Sequence, residues 1–378
     1  MAADVISLEK VRFRYPGAER DAPAGPDVAV AAVASAAVGA MAGADAASET
    51  RKRMPCGVLG LGHAHALDVV EVLAASPDFE LAGVCEPDES IRSRVEHVPA
   101  LQGVPWLTRD ALLGDGRVAM VAVESTVPRL LEYAHAVIDA GKHLHLDKPA
   151  GASLPDFETL LANADNRGRL VQMGYMFRYN PGFDLVRRAV REGWLGHVYS
   201  IHASMCTGLG GEKRASIAWH PGGIMFELGG HLIDMVHLLL GPPAKVTPFL
   251  RHDSPAGDGL ADNTLAILEY DGAMAVIETA AMEINAFATR RFKVCGTGGT
   301  LILEPLEPPA ARLCLSQAAG GFKAGWQAVP LEDLPRHVRD FDDLARCIRG
   351  EARFAYSTQH DLSVQKTLLQ ASTPGSVV

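Results

Sequence analysis

The sequence predicts an α/β chain of two lobes, a parallel sheet wrapped by helices followed by an α+β lobe built on an open, mostly antiparallel sheet. Three observations carry this. Short apolar runs alternate with helix-period segments from Met54 to Lys148, as they do where helices cover both faces of a parallel sheet. A glycine turn, Gly60-Leu61-Gly62, separates the first run from the first helix. Beyond residue 178, alternating segments flank turn dipeptides such as Asp271-Gly272, the signature of antiparallel hairpins.

Composition narrows the function class. The chain has 378 residues, 48% hydrophobic and 21% charged, enough for two or three domains with their own cores. Its 35 basic and 45 acidic residues give a net charge of −10, which opposes attraction to nucleic acid or an anionic membrane. A small-molecule substrate is expected. The six cysteines contain no C-x-x-C pair, so no zinc knuckle or disulfide framework is expected and a reducing cytoplasm fits.

Residues 1–53 read as an Ala-rich N-terminal extension, expected to be disordered. The stretch Val28–Ala47 is alanine-dominated and broken by Ser35, Gly39, Gly43 and Asp45, too weakly apolar for a membrane span. Ile6 to Gly17 resembles the first strand of transporter ATP-binding subunits, but no G-x-x-x-x-G-K-[ST] loop follows. Without that phosphate cradle ATPase activity is rejected.

From Met54 the elements follow in order. Cys56-Gly57-Val58-Leu59 is a strand, Gly60-Leu61-Gly62-His63-Ala64 a turn, and Val69, Val70, Val72 and Leu73 the apolar face of a helix. Gly60 permits the tight turn, Gly62 lets a pyrophosphate approach the backbone, and a helix starting near His63 offers N–H groups to phosphates. The next run, Leu81–Cys85, ends in Glu86, where a Rossmann dinucleotide-binding domain places the acid that accepts from the adenosine ribose. An acid there favours NAD; Arg92 and Arg94 nearby keep NADP open. Val118–Val123, a helix over Pro128–Ala140 and His143–Leu146 continue the sheet. Ser125, Thr126 and Asp147-Lys148 then fall at strand C-terminal ends, so Gly60, Gly62, His63, Ala64, Glu86, Ser125, Thr126, Asp147 and Lys148 are the expected cofactor-binding set. His65 and His143 are read as packing or turn residues.

Three ordered motifs resemble one family. Gly141-Lys142-His143-Leu144-His145-Leu146-Asp147-Lys148-Pro149 is similar to the G-K-H-V-x-x-E-K-P segment of the Gfo/Idh/MocA oxidoreductases, with Asp147 for the usual glutamate. Gly222-Gly223-Ile224-Met225-Phe226-Glu227-Leu228-Gly229-Gly230-His231-Leu232-Ile233-Asp234 resembles the family's later glycine, acid and histidine motif, with Glu227 for the usual aspartate. Between them, Gln172 to Pro181 resembles the segment where that family's chain leaves its nucleotide domain. The similarity runs from about Met54 to Gly350. It implies a Rossmann domain over 54–177, a substrate and oligomerisation domain over 178–350, a segment over 351–378 packing back on the first domain, and NAD(P)-dependent chemistry on sugars or polyols.

The second lobe also reads without the family. Tyr199, Ile201, Ala203 and Met205 alternate, Thr264–Tyr270 and Ala273–Thr279 flank the Asp271-Gly272 turn, and Phe292–Gly296 pairs with Thr300–Leu303. The open face of such a sheet is expected to pair subunits into a homo-oligomer. Amphipathic helices are expected over Phe341–Ile348 and from His360, the latter burying Leu362, Val364, Leu368 and Leu369.

A helix over Gly223–Leu240 puts Glu227, His231 and Asp234 at i, i+4 and i+7. A histidine there can exchange a substrate hydroxyl proton near neutral pH, Glu227 can orient it, and Lys148 can hold the developing charge on oxygen. By resemblance Lys148, Glu227 and His231 match the family's catalytic positions. Tyr175, Arg178, Trp219, His220 and Asp234 are expected to line the substrate cleft, aromatic faces suiting a sugar ring and polar groups its hydroxyls. No metal is expected: Glu227, His231 and Asp234 supply one imidazole, and the His63/His65 and His143/His145 pairs lack a nearby second ligand motif. The function read from the sequence is hydride exchange between nicotinamide and a secondary alcohol or ketone. The alternatives are NAD-dependent glycoside cleavage on the same fold and a dinucleotide-sensing binding protein.

Overall fold

The computed structural model describes residues 52–374. The expectations for residues 1–51 and for the last four residues fall outside that range. In chain order the elements are β1 Met54–Leu59, α1 Ala66–Ala75, β2 Phe79–Cys85, α2 Glu89–Val95, α3 Arg109–Gly114, β3 Met120–Val123, α4 Val127–Asp139, β4 His143–Leu146, α5 Leu154–Asn166, β5 Val171–Met173, α6 Pro181–Arg191, β6 Val198–Ser204, α7 Gly211–Ile217, α8 Ile224–Leu240, β7 Lys245–Arg251, β8 Asn263–Tyr270, β9 Ala273–Ala280, β10 Arg291–Gly296, β11 Gly299–Leu306, β12 Pro309–Leu315, β13 Gly325–Val329, α9 Val338–Ile348 and α10 Thr358–Ala371.

The first five strands form a parallel sheet in the order β2-β1-β3-β4-β5. The strand order reverses between β1 and β3, so the crevice above their C-terminal ends is where an open α/β sheet binds ligands. β3 is buried at every residue, which is why it reads as a continuous apolar run. Leu130, Ala134, Val137 and Ile138 turn the apolar side of α4 onto the sheet.

The remaining eight strands form a second sheet in the order β13-β12-β11-β10-β6-β9-β8-β7. It is antiparallel except where β6 runs parallel to β9. The hairpin at Asp271-Gly272 joins β8 to β9 with Tyr270 opposite Ala273. One face of this sheet is covered by α6 and α8. In β6 the buried positions are Val198, Ile201 and Ala203, whereas Tyr199 is exposed. The alternation read there is therefore broken at its start, and the register of β10 against β6 shifts at Cys295/Gly296, which reorients the strand end.

α8 is the spine between the two sheets. Ile224 to His237 is buried at every residue but Leu228, each large apolar side chain contributing about 1.5–3 kcal/mol through burial. Its start is set by Gly222 and Gly223, at φ 65 and 55. A Cβ on Gly223 would stand 2.4 Å from the Ala261 carbonyl oxygen. Gly229 and Gly230, costly inside a helix, give space to protein side chains: a Cβ on Gly230 would press on Leu368 of α10 and on Tyr175. α10 lies against α8 and α5, with Val364 and Leu368 buried and Leu362 and Leu369 partly so.

Candidate active site

The glycine turn after β1 is built for close approach. Gly60 sits at φ 85, and a Cβ there would lie 2.5 Å from the Ser125 Cβ; on Gly62 it would lie 2.7 Å from the Thr126 side chain. Glu86, at the end of β2, pins the turn by accepting from the Leu61 N–H at 2.5 Å and the Asp88 N–H at 2.9 Å. Burial pushes its carboxyl up against the lowering effect of those two donors. Glu86, Ser125 and Thr126 share the wall of a cavity of about 570 Å³ with Asp88, Arg109 and Arg129. Room for a nucleoside and an acid in the cavity wall at the end of β2 fit the adenosine half of a dinucleotide.

Two expectations at this end are corrected. α1 begins at Ala66 with His65 as its N-cap, and the His63 N–H is already taken by the Glu124 carbonyl at 2.9 Å. It is therefore the first turn from Ala66, with N–H groups that lack a partner in the helix, that can serve a phosphate. Arg92 and Arg94 turn elsewhere, Arg92 over the Trp106 ring and Arg94 to the Ser90 carbonyl. The cations at the cavity are Arg109 and Arg129, both facing Glu132.

Asp147, at the end of β4, is buried and faces inward. His63 meets one of its oxygens, and His65 Nδ1 lies 3.4 Å from the other. That second oxygen also accepts from the Lys148 N–H at 2.7 Å. Burial pushes the Asp147 carboxyl up, but the imidazoles of His63 and His65 outweigh it and hold the group well below the usual carboxylate range. The histidine read as a packing residue, His65, thus belongs to this cluster.

Lys148 and α8 meet directly. The Lys148 Nζ donates to the Glu227 carbonyl at 3.0 Å and lies 3.9 Å from Glu227 Oε1. The Glu227 carboxylate also faces Lys213 at 3.9 Å and His220 at 3.5 Å. Burial alone would raise its pKa, but Lys148, followed by His63, Lys213 and His220, brings it down to about 2. The expected hydrogen bond from Glu227 to His231 does not form among the described residues, because the carboxylate is drawn to the cations instead. His231 packs between Tyr175 and Phe177, ring centroids 5.9 and 5.5 Å away, and 6.5 Å from His65. Burial, helped by Lys148, depresses its pKa well below the ordinary value, so the imidazole is neutral.

The substrate-cleft expectations divide. Trp219 is half exposed, its ring edge-on to His220 at 4.4 Å, and His220 faces Glu227. Tyr175 lies beneath His231 and is buried. Arg178 and Asp234 are corrected. Both are completely buried and paired to each other at 2.7 Å, with Asp361 at 2.5 Å from Arg178 and His360 at 2.8 Å from Asp234. Such a network ties the 3-10 turn at Met176–Tyr179 to α8 and α10, and its complete burial places both groups out of a substrate's reach. Asp234 thereby turns away from Glu227 and His231, which removes those three as a joint ligand set.

Nothing in the sequence marks Lys213 or Glu124. Lys213 lies on the short α7, a segment with no motif. Glu124, fully buried beside Asp147, sat in what reads as a polar turn.

Comparison with known proteins agrees with this geometry. The model for the oxidoreductase family's NAD-binding Rossmann fold, GFO_IDH_MocA, matches residues 54–175, and the GFO/IDH/MocA C-terminal domain model matches residues 183–302. The chain is 24% identical over 322 residues to the uncharacterized oxidoreductase YdgJ of Escherichia coli K12, covering 85% of this chain and 84% of the relative. It is 24% identical over 265 residues to the NAD-dependent scyllo-inositol 2-dehydrogenase of Bacillus subtilis 168, covering 66% and 74%. The crystal structure of GenD2 from gentamicin A biosynthesis, in complex with NAD, superposes with a TM-score of 0.71 at 24% identity over 86% of this chain and 94% of its own. With its glycine turn, its lysine at the end of β4 and its buried α8 histidine all falling within those two matched regions, this chain belongs to the Gfo/Idh/MocA family of NAD(P)-binding oxidoreductases.

Proposed function

We propose that the protein interconverts a secondary alcohol and a ketone on a sugar, inositol or related polyol, using NAD(H). The observation that supports this most is the meeting of Lys148, from the nucleotide-binding sheet, with Glu227 of α8 at 3.0 Å, beside a buried neutral His231. When bound, the nicotinamide accepts or supplies the hydride. In the oxidative direction the neutral His231 imidazole takes the hydroxyl proton, and Lys148 donates a hydrogen bond to the same oxygen as charge builds on it. The Glu227 carboxylate, held ionised by its cationic neighbours, keeps Lys148 in place and accepts from a neighbouring hydroxyl. Trp219 offers an exposed face to the sugar ring, with His220 behind it. Gly60, Gly62, Ala64, Ser125 and Thr126 are assigned to the pyrophosphate and ribose. Glu86 is assigned to the adenosine ribose, with NAD preferred over NADP because a buried carboxylate repels a 2′-phosphate. The relatives named for sugars and inositol support the substrate class.

The domain limits 54–177, 178–350 and 351–378 are kept as part of this reading, as is a cytoplasmic location suited to six free cysteines. No helix among the described residues is long and apolar enough to cross a membrane. Phe249, Met274 and Trp326 are exposed on one face of the second sheet, a surface suited to pairing two copies of the chain. The experiment is a panel of inositols, aldoses, polyols and glycosides incubated with NAD⁺ or NADP⁺, read by reduced-nicotinamide absorbance and product chromatography. Reduction of NAD⁺ by at least one secondary alcohol is expected. Glycoside cleavage without accumulated NADH, or binding without turnover across the panel, would replace this reading.

A further inference from the structure

The buried side chains behind Lys148 carry more ligating groups than the reaction uses. His63, His65 and Asp147 place donor atoms within 4.8 Å of one another. Beside them lies Glu124, completely buried, its carboxyl against that of Asp147 and accepting from no N–H or hydroxyl donor. His145 Nε2, 3.7 Å from Glu124, is likewise buried without a hydrogen-bond partner, as is His63 Nε2. Unmet buried polar atoms are rare in native proteins and call for a reason such as an ion. The neighbouring cation does not supply one, since the Lys148 Nζ is directed to the Glu227 carbonyl.

We infer that His63, His65 and Asp147 form a binding site for a first-row divalent transition-metal ion, with the Glu124 carboxylate as a further ligand or as the acceptor that orients one. Donor chemistry supports this: two imidazoles and a carboxylate, with positions left open, suit zinc, iron, cobalt or manganese. The spacing agrees. Ligands about 2.1 Å from a tetrahedral metal stand roughly 3.4 Å apart, and His65 Nδ1 stands 3.4 Å from Asp147 Oδ1, whereas His63 touches the other Asp147 oxygen directly and must turn aside to admit the ion. Two carboxyl groups packed together in the interior, as Glu124 and Asp147 are, repel unless one holds a proton or a cation lies between them. The outer partners are also in place. The Lys148 N–H fixes Asp147 at 2.7 Å, and Gln172 fixes His145 at 2.9 Å, as second-layer hydrogen bonds do around metal ligands. The site stands on these residues alone and does not depend on the substrate class proposed above.

The test uses untagged full-length protein, stripped with a chelator and titrated with Zn²⁺ in a calorimeter, with and without NAD⁺. Saturable binding of one Zn²⁺ per chain is expected, weakened at least about tenfold by His65→Ala and by Asp147→Asn, a loss no smaller than that for outer-layer partners. Exposed His97→Ala should leave it unchanged. Circular dichroism identifies any variant that does not fold. In that event Co²⁺ loaded into the wild-type chain decides: a tetrahedral or five-coordinate visible spectrum with imidazole scattering in X-ray absorption supports the site. Absence of saturable binding at about a hundred micromolar Zn²⁺, unchanged affinity in both folded variants, or the spectrum of the hydrated cobalt ion overturns it.

Discussion

A buried imidazole beside a lysine is a poor place for a positive charge, and that fixes what His231 can do. Its depressed pKa leaves the ring unprotonated at neutral pH, a weak base whose lone pair can take the hydroxyl hydrogen as charge on the oxygen is held by Lys148, so His231→Ala is expected to lower turnover by about two orders of magnitude or more while NAD⁺ affinity, measured by fluorescence titration, changes little. Unchanged turnover would remove the assigned role. At the other end of the crevice, Glu86→Ala is expected to weaken NAD⁺ more than NADP⁺ in the same titrations; equal weakening would show that Glu86 serves only the turn it pins. Lys148, Glu227 and His231 are legible in the sequence because motif spacing on a strand end and a single helix determines where they stand. The partners of each are less so. Glu227 chooses Lys148 and Lys213 over His231 because cations outcompete a neutral ring. His65 and Asp147 are 82 residues apart and become neighbours only through the closing of the parallel sheet.

Among the elements, α8 bears the most on the site. It joins the crevice to the second sheet, and its first residue is set by a glycine that no other residue can replace cheaply. Gly223→Ala puts a Cβ against the Ala261 carbonyl and forces a side-chain-bearing residue to positive φ, so a loss of about 1–3 kcal/mol or more in chemical denaturation is expected. A variant as stable as the parent would mean the turn relaxes freely. Breaking the buried ion network by Arg178→Met removes the guanidinium that Asp234 and Asp361 both face, at an expected cost of about 3–5 kcal/mol. The bounds of α8 follow from Gly223 and Gly241, and those of the β8–β9 hairpin from Asp271-Gly272, so both are readable in advance. β7, β12, β13 and the short α2, α3 and α7 carry weaker periodicity and lack such punctuation; pairing with neighbours decides them. The fate of Arg178 is hidden for a related reason, since Asp361 lies 183 residues away on a helix whose docking no local pattern reveals.

Across the whole molecule, burial keeps several histidines neutral. His65 is lowered to about 3 and His143, His220 and His237 to about 4, burial being the leading cause in each. In the unfolded chain these groups take up protons near pH 6.5. The unfolded state therefore binds more protons as pH falls from about 6.5 toward 4, and stability should decline through that window. Thermal unfolding followed from pH 7.5 down to pH 4.5 tests this; a flat midpoint would mean the rings titrate freely in the fold. The two-sheet architecture is legible from the change in apolar periodicity after residue 178, whereas the parallel β6–β9 pairing inside the second sheet is set by long-range packing. The claim joining both halves is that the crevice of the first sheet presents its nicotinamide end to Lys148 and His231. A crystal structure with NAD⁺ bound tests it most directly. The expected result is adenosine in the cavity beside Glu86 and the nicotinamide ring against Lys148 and His231, with a substrate-sized space between ring and imidazole. A nicotinamide ring bound away from those two side chains would contradict it.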